Sequence, residues 1–220
     1  VGEGSTPAEA LSILDRWEVA VPDSVRAVLL RPSGVVPPGD PRLSRTETRV
    51  IGAPAQSLAA AAEMARAAGC GVRVLGDALE GEAREVARAM AAEALAAQAA
   101  LAPGERLVLL SGGELTVKRQ GNGIGGPNAE FALALALALD GAPAVHALAC
   151  DTDGVDGAAE VAGAVVGPDT LARARTLGLD PQGMLDANDA HSFFGALGDQ
   201  VVTGPTLTNV NDFRAVLVEG

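Results

Sequence analysis

A chain of 220 residues, 48% of them apolar, can build one large globular domain or two small ones. A formal charge of −12 and a sequence pI near 4.5 argue against general binding to nucleic acid or an anionic membrane, because both would repel the chain at long range; any phosphate ligand must be held locally. Cys70 and Cys150 lie far apart in apolar surroundings with no zinc or redox spacing, so they read as buried thiols in a reducing, cytoplasmic compartment. No apolar run reaches membrane-spanning length, since Asp140 ends the stretch 132–139, and no secretion signal is visible. The sequence opens at Val1 without methionine, and an upstream portion is expected.

In chain order, Thr6-Pro7-Ala8-Glu9 has the form of a capping box. A first helix is expected to run to about Trp17, with Leu11, Leu14 and Trp17 on one face. A second follows Pro22 with Val25, Val28 and Leu29 inward. The Pro-rich segment 31–41 is then an extended linker. From Thr48 the pattern alternates: strand 49–52, helix 56–68 stopped by Gly69, strand 72–76, a long alanine-rich helix 82–101 and an apolar strand 107–110. Such alternation reads as parallel α/β units of a Rossmann-like, three-layer kind. A domain boundary is expected near Pro103, giving 1–103 and 104–220. The second part would be a smaller α/β domain with a mixed sheet: a half-exposed antiparallel or edge strand at 115–119, a helix starting near Asn128, a buried strand 145–149, helices 168–177 and 189–197, and a closing strand 213–218. The alanine-rich helices are compatible with a homodimer.

Polar loops are expected at strand ends, at 77–82, 111–114, 121–128, 151–157 and 203–212, where open α/β folds place their chemistry. The most concentrated is 111–131, SGGELTVKRQGNGIGGPNAEF, whose glycines and following helix start suit a phosphate or carboxylate. A flexible hairpin remains the bland alternative. Gly121-x-Gly123-x-x-Gly126 matches the dinucleotide fingerprint only formally, because no buried parallel strand precedes it, and no Walker loop occurs. Asp151, Asp153 and Asp156 fall in one tight turn. One or two of them suit magnesium with a nucleotide, unless they merely bond their own backbone. The segment 203–212, TGPTLTNVND, offers hydroxyl and amide groups for a small polar ligand, or for its own loop. His146 and His191 read as structural.

SGGELTV, the GNGIGGPNAEFALALALAL run, DTDGVDG followed by AGAVV, and TGPTLTNVND closely resemble the C-terminal, MOFRL-type domain of class II glycerate kinases, relatives of which are often labelled hydroxypyruvate reductases. The GDPRL, VIGAPAQSLAAAA and LGDALEGEAREVARAMA segments look like the latter part of that family's N-terminal domain. The resemblance implies ATP-dependent, magnesium-requiring phosphorylation of D-glycerate, at the 2-hydroxyl, in a cleft between two domains. It implies catalytic roles for Glu114, Asn128, Glu130 and Asp153, and metal ligation by Asp151, Asp153 and Asp156. It also implies substrate or phosphate contacts by Ser111, Gly112, Gly113, Thr116, Gly123, Gly125, Gly126, Thr206, Thr208 and Asn209. The family's N-terminal glycine-rich segment and the lysine ascribed to catalysis have no counterpart, which implies a fragment. Pro127 stands where many members carry arginine. The alternatives are an NAD(P)H-dependent hydroxypyruvate reductase and a non-catalytic module binding a small acid or nucleotide.

Overall fold

The computed structural model describes residues 2–220, and the chain divides into two compact units, Val1–Ile51 and Gly52–Gly220. In the first unit, α1 (Pro7–Arg16) starts with the expected capping box: Thr6 accepts from the Glu9 amide and Glu9 reaches back to the Thr6 amide. α2 (Asp23–Leu29) is joined to it by an Arg26–Asp15 ion pair at 3.1 Å. Neither helix has a buried residue. Val25 and Val28, expected inward, are 45% and 60% exposed, and Trp17 is 71% exposed. Two short helices offer too little surface to close a core of their own.

The second unit is a mixed sheet between helices. Its strands are β1 (Gly71–Glu82), β2 (Arg106–Thr116), β3 (Val145–Asp151), β4 (Gly163–Val166), β5 (Gln200–Val201) and β6 (Asp212–Glu219), in spatial order β1-β2-β6-β3-β4-β5. Among the described residues β1–β2 is the one parallel pair, and the other four pairings are antiparallel. The mixed α/β architecture is therefore as expected, whereas the Rossmann-like parallel portion shrinks to one strand–helix–strand unit, and residues 49–52 form no strand. β1 and β2 pair across Pro103, so the residues on either side of that proline share one sheet.

α3 (Pro54–Ala67) covers one face, setting Leu58 and Ala62 against Leu110, Val108, Phe213 and Ala215. α4 (Ala83–Ala100) and α5 (Pro127–Leu139) cover the other, where Leu109, Ala147 and Val216 meet Phe131, Leu133 and Leu135. α5 is apolar on all sides and correspondingly buried almost throughout, the behaviour of a central helix. It stops at Asp140, which adopts a left-handed conformation (φ 44°). α6 (Thr170–Thr176), α7 (Pro181–Asp186) and α8 (Ala190–Leu197) complete this layer; α7, β4 and β5 have no counterpart among the expected elements. No described helix is long and apolar enough to cross a membrane.

The loops expected at 77–82 and 111–114 are ladder instead. β1 bulges around Gly76 and then pairs Leu79–Glu82 with Gly113–Thr116. Gly113 makes this possible: its φ is 116°, and a Cβ there would lie 2.2 Å from Leu79 backbone atoms. Leu115 and Thr116 thus continue β2 alongside a parallel neighbour, and the separate antiparallel or edge strand expected at 115–119 is absent.

Candidate active site

The start of α5 is the place where sequence reasoning expects an external anion. The protein fills it with its own carboxylate. Gly126 is the N-cap and has no side chain to offer, so Asp156 substitutes: it accepts from the Asn128 amide at 3.0 Å and the Ala129 amide at 2.8 Å. These are the second and third amides of the helix, the ones an N-cap side chain serves. The same carboxylate takes the Asn128 side chain at 3.3 Å and lies 3.1 Å from His191 Nε2. Gly126 is required for this approach, because a Cβ there would sit 2.4 Å from the Asp156 carboxyl carbon. Asp156, expected as a metal ligand, is consequently buried and committed to α5.

The glycine loop is held in the same manner. Asn188, left-handed at φ 55° between α7 and α8, accepts from the Gln120 and Gly121 amides at 2.7 and 2.8 Å. The Gly123 amide donates to Ala187 O at 2.9 Å, and the Ile124 amide to Asp189 at 2.9 Å. A Cβ at Gly121 or Gly123 would run into Ala187 or Asp189 at 2.2–2.4 Å. These glycines therefore answer to a neighbouring protein backbone. Below them, fully buried Glu130 accepts from Arg84 Nε at 2.9 Å and from the Asn188 side chain, while Arg84 also donates to Leu185 O at 2.7 Å. A cavity of about 280 Å³ remains, lined among others by Arg119, Gly125, Gly126, Pro127 and Glu130.

Next to this lies the acidic turn after β3. Its backbone is strapped to the segment before β6: Thr206 Oγ1 donates to Thr152 O at 2.6 Å, the Thr206 amide to Asp153 O at 2.9 Å, and the Asn209 side chain to Asp153 Oδ2 at 3.1 Å. Gly154 is buried at φ 94°, with Gly204 O where its Cβ would be. Asp151 is the strained member. Burial first, then the charges of Asp153 and Asp212, push its carboxyl up to about 6, against the opposing hydrogen bond from the Asp153 amide. Burial first, then the charges of Asp151, Asp212 and Asp156, push the Cys150 thiol up to about 11.

Asp212 connects the two regions. It stands beside Gly113 and Asp151 in the sheet register and accepts from the Asn128 side chain at 2.7 Å and the Leu115 amide at 3.3 Å. Arg214, fully buried over the Phe131 ring at 5.4 Å, donates to Asp212 Oδ2, the oxygen that also takes the Leu115 amide.

The structure thus brings Asp151, Asp153, Thr206 and Asn209 together, and Thr208 accepts at its backbone carbonyl from Thr206 Oγ1 at 2.9 Å. Asn128 and Glu130 are present but used internally. Ser111 is buried beside Arg214, and Gly112 and Gly113 lie within the ladder. Glu114 and Thr116 are exposed, on strand positions alternating with buried Leu115. Among the described residues no three His, Cys, Asp or Glu side chains are grouped as a metal would need.

Residues 107–212 match the MOFRL family model. This stretch is a MOFRL family domain. Over 99% of its length the chain is 48% identical to an Agrobacterium vitis protein whose name proposes a hydroxypyruvate reductase, covering 50% of that protein. It is 33% identical to the D-glycerate 2-kinase of Thermotoga maritima over 98% of its length and 51% of the relative. The crystal structure of glycerate kinase from Thermotoga maritima superposes with a TM-score of 0.82 at 32% identity, over 98% of this chain and 51% of that one. The chain spans about half the length of these relatives.

Sequence reasoning assigned no role to Asn188, Asp189 and Asp212 within the MOFRL stretch, nor to Arg84 and Arg214 outside it. One signal was available. Asp212, Arg214, Val216 and Val218 alternate along β6 as its buried positions, so a charged pair on that face is conspicuous. His191 is structural as expected, since its Nε2 is taken by Asp156.

Proposed function

We propose that the chain contributes part of a glycerate kinase that transfers the γ-phosphoryl group of ATP to D-glycerate, giving 2-phosphoglycerate, in a cleft to which the acidic turn and the 203–211 segment contribute. The carrying observation is the tethered acidic turn: the charged form of Asp151 is disfavoured by burial and by its charged neighbours while Asp153 is fixed by Asn209, and the relatives at this similarity include glycerate kinases. Magnesium prefers one or two carboxylates with phosphate oxygens and water. Asp151 and Asp153 fit that demand, since a cation would relieve their mutual repulsion, whereas both Asp156 oxygens are engaged by α5. When bound, the ion would neutralise charge on the phosphates.

The chain's own residues then position rather than react. In the transfer, the 2-hydroxyl oxygen of glycerate bonds to the γ-phosphorus, the bond from that phosphorus to the bridging oxygen breaks, ADP leaves with that electron pair, and the hydroxyl proton passes to a carboxylate or to water. Asp153 is the carboxylate we assign to the reacting groups, and Glu114 an exposed second candidate. Asn128 and Glu130 hold the α5 start and the glycine loop. The amides of Gly125 and Gly126, beside Arg119 at the cavity, are assigned to anion contact. The reductase reading lacks such support, because the formal fingerprint glycines pack on the protein itself, Gly121 and Gly123 on Ala187 and Asp189 and Gly126 on Asp156. This reading implies a cytoplasmic enzyme with small-molecule partners. A coupled assay of the intact gene product with saturating ATP, magnesium and D-glycerate should show ADP formation. Its absence, or oxidation of NADH or NADPH with hydroxypyruvate instead, overturns the proposal.

A further inference from the structure

Arg214 is the largest fully buried side chain, and its Nε and Nη1 have no partner among the described residues. Ser111 Oγ, one strand across in register, and Asn128 Oδ1 are also buried without a partner. A buried guanidinium with donors unspent is expensive compared with an apolar residue of the same size. What it secures is Asp212, whose two oxygens reach three elements: Asn128 at the start of α5, Leu115 near the end of β2, and Arg214 itself on β6. Asp212 is in addition the cross-strand neighbour of Asp151, at the root of the acidic turn. One carboxylate therefore joins the glycine-loop helix to β2 and to the first residue of β6, which pairs in the ladder with Asp151 at the root of the acidic turn, and the arginine keeps that carboxylate in place.

We propose that Asp212 and Arg214 are a buried positioning pair that fixes the acidic turn and Asn128 in one geometry for phosphoryl transfer. Its link to turnover rests on the kinase reading above, but the positioning itself does not. Neither side chain touches substrate; both act through Asn128 and the turn.

The test is the neutral double variant Asp212→Asn/Arg214→Met. It removes both charges at nearly constant volume, and the amide keeps one acceptor oxygen where the carboxylate offers two. Hydrogen exchange on the 220-residue chain should show the amides of Asp153, Val155 and Thr206 exchanging at least tenfold faster, with Val216 and Leu217 in the middle of β6 unchanged. In the intact gene product, kcat should fall at least tenfold while KM for ATP and D-glycerate moves less than threefold, the pattern of groups needed in the transition state. Arg214→Lys, which keeps the charge without the planar fork, should recover part of the loss. A double variant that unfolds at the parent temperature and retains both turn protection and kcat overturns the proposal. If the parent protein shows no turnover at all, the kinase reading fails, and the exchange data alone decide whether the pair positions the turn. Should the double variant not fold, Arg214→Lys carries the test: unchanged turn protection and kcat there overturn the proposal.

Discussion

The glycine loop and the acidic turn are adjacent, equally rich in turn residues, and built on opposite terms. In the glycine loop nearly every polar group is spent on the protein: Asn188 takes two amides, Asp189 and Ala187 one each, and Asp156 closes α5. In the acidic turn the backbone is equally well tied, yet Asp151 remains a half-buried carboxyl beside two others. A satisfied cluster contributes stability, and a frustrated one costs stability that a ligand can return. Two aspartates five positions apart, Asp151 and Asp156, therefore belong to different categories.

The largest effect that separates them is steric. Gly126→Ala forces a methyl against the Asp156 carboxylate and carbonyl at 2.4–2.5 Å, so the cap must open. We expect a loss of about 3 kcal/mol, a fall in Tm on the order of 10 °C by calorimetry. A fall below about 2 °C would show that the loop is not pinned as described.

Next comes the contrast between Asp156 and Asp153. Asp156→Asn leaves one α5 amide without an acceptor and the other with a neutral one, and should cost about 2 kcal/mol in urea denaturation. Asp153→Asn should cost no more than about 0.5 kcal/mol, but lower turnover of the intact protein by about a hundredfold or more. The reverse pattern, a destabilised Asp153 variant with full turnover, would exchange the roles of the two carboxylates.

What was legible in the sequence follows the range of the interaction involved. The capping box at Thr6 lies within three residues and was read correctly. So was α5, whose apolar run admits no other element than a buried one. The cap of α5 was not, because its acceptor stands 28 residues downstream of Asn128. Gly121 and Gly123 are legible only in part for a related reason: sequence shows that a backbone needs close approach, and Ala187 and Asp189 are what approach. The ladder through Gly113 and the pairing of Asp212 with Arg214 depend on strand order, which local pattern does not carry. Asp153, Thr206 and Asn209 stand out in the sequence because turn residues cluster locally, whereas their mutual contact is visible only in three dimensions.

A smaller effect tests the frustration itself. The folded carboxyl of Asp151 titrates near 6, above its unfolded value, so the folded state holds the proton more tightly. Below about pH 4 both states are protonated and nothing is gained or lost. Between about 4 and 6 the unfolded state ionises first, and stability falls as pH rises. Asp151→Asn, without divalent cation, should therefore stabilise the chain at pH 7, by no more than about 1 kcal/mol since solvent screens this half-exposed group. That gain should vanish by about pH 4. A gain that is independent of pH would place its origin in packing.

The smallest expected effect falls on Pro127, first residue of α5 and part of the cavity wall. Proline suits that position because the first helical amide has no intrahelical acceptor, and its fixed φ costs nothing there. Replacing it with arginine should lower stability by only a few tenths of a kcal/mol. The new guanidinium would face a cavity that already holds Arg119, with Glu130 neutralised by Arg84 below. If the free face of Gly125 and Gly126 receives an anion, Pro127→Arg should tighten inorganic phosphate binding severalfold in calorimetry, by a charge-assisted contact. Unchanged or weaker phosphate binding would mean that the glycine loop is spent on the fold entirely, leaving the acidic turn and the 203–211 segment to carry recognition alone.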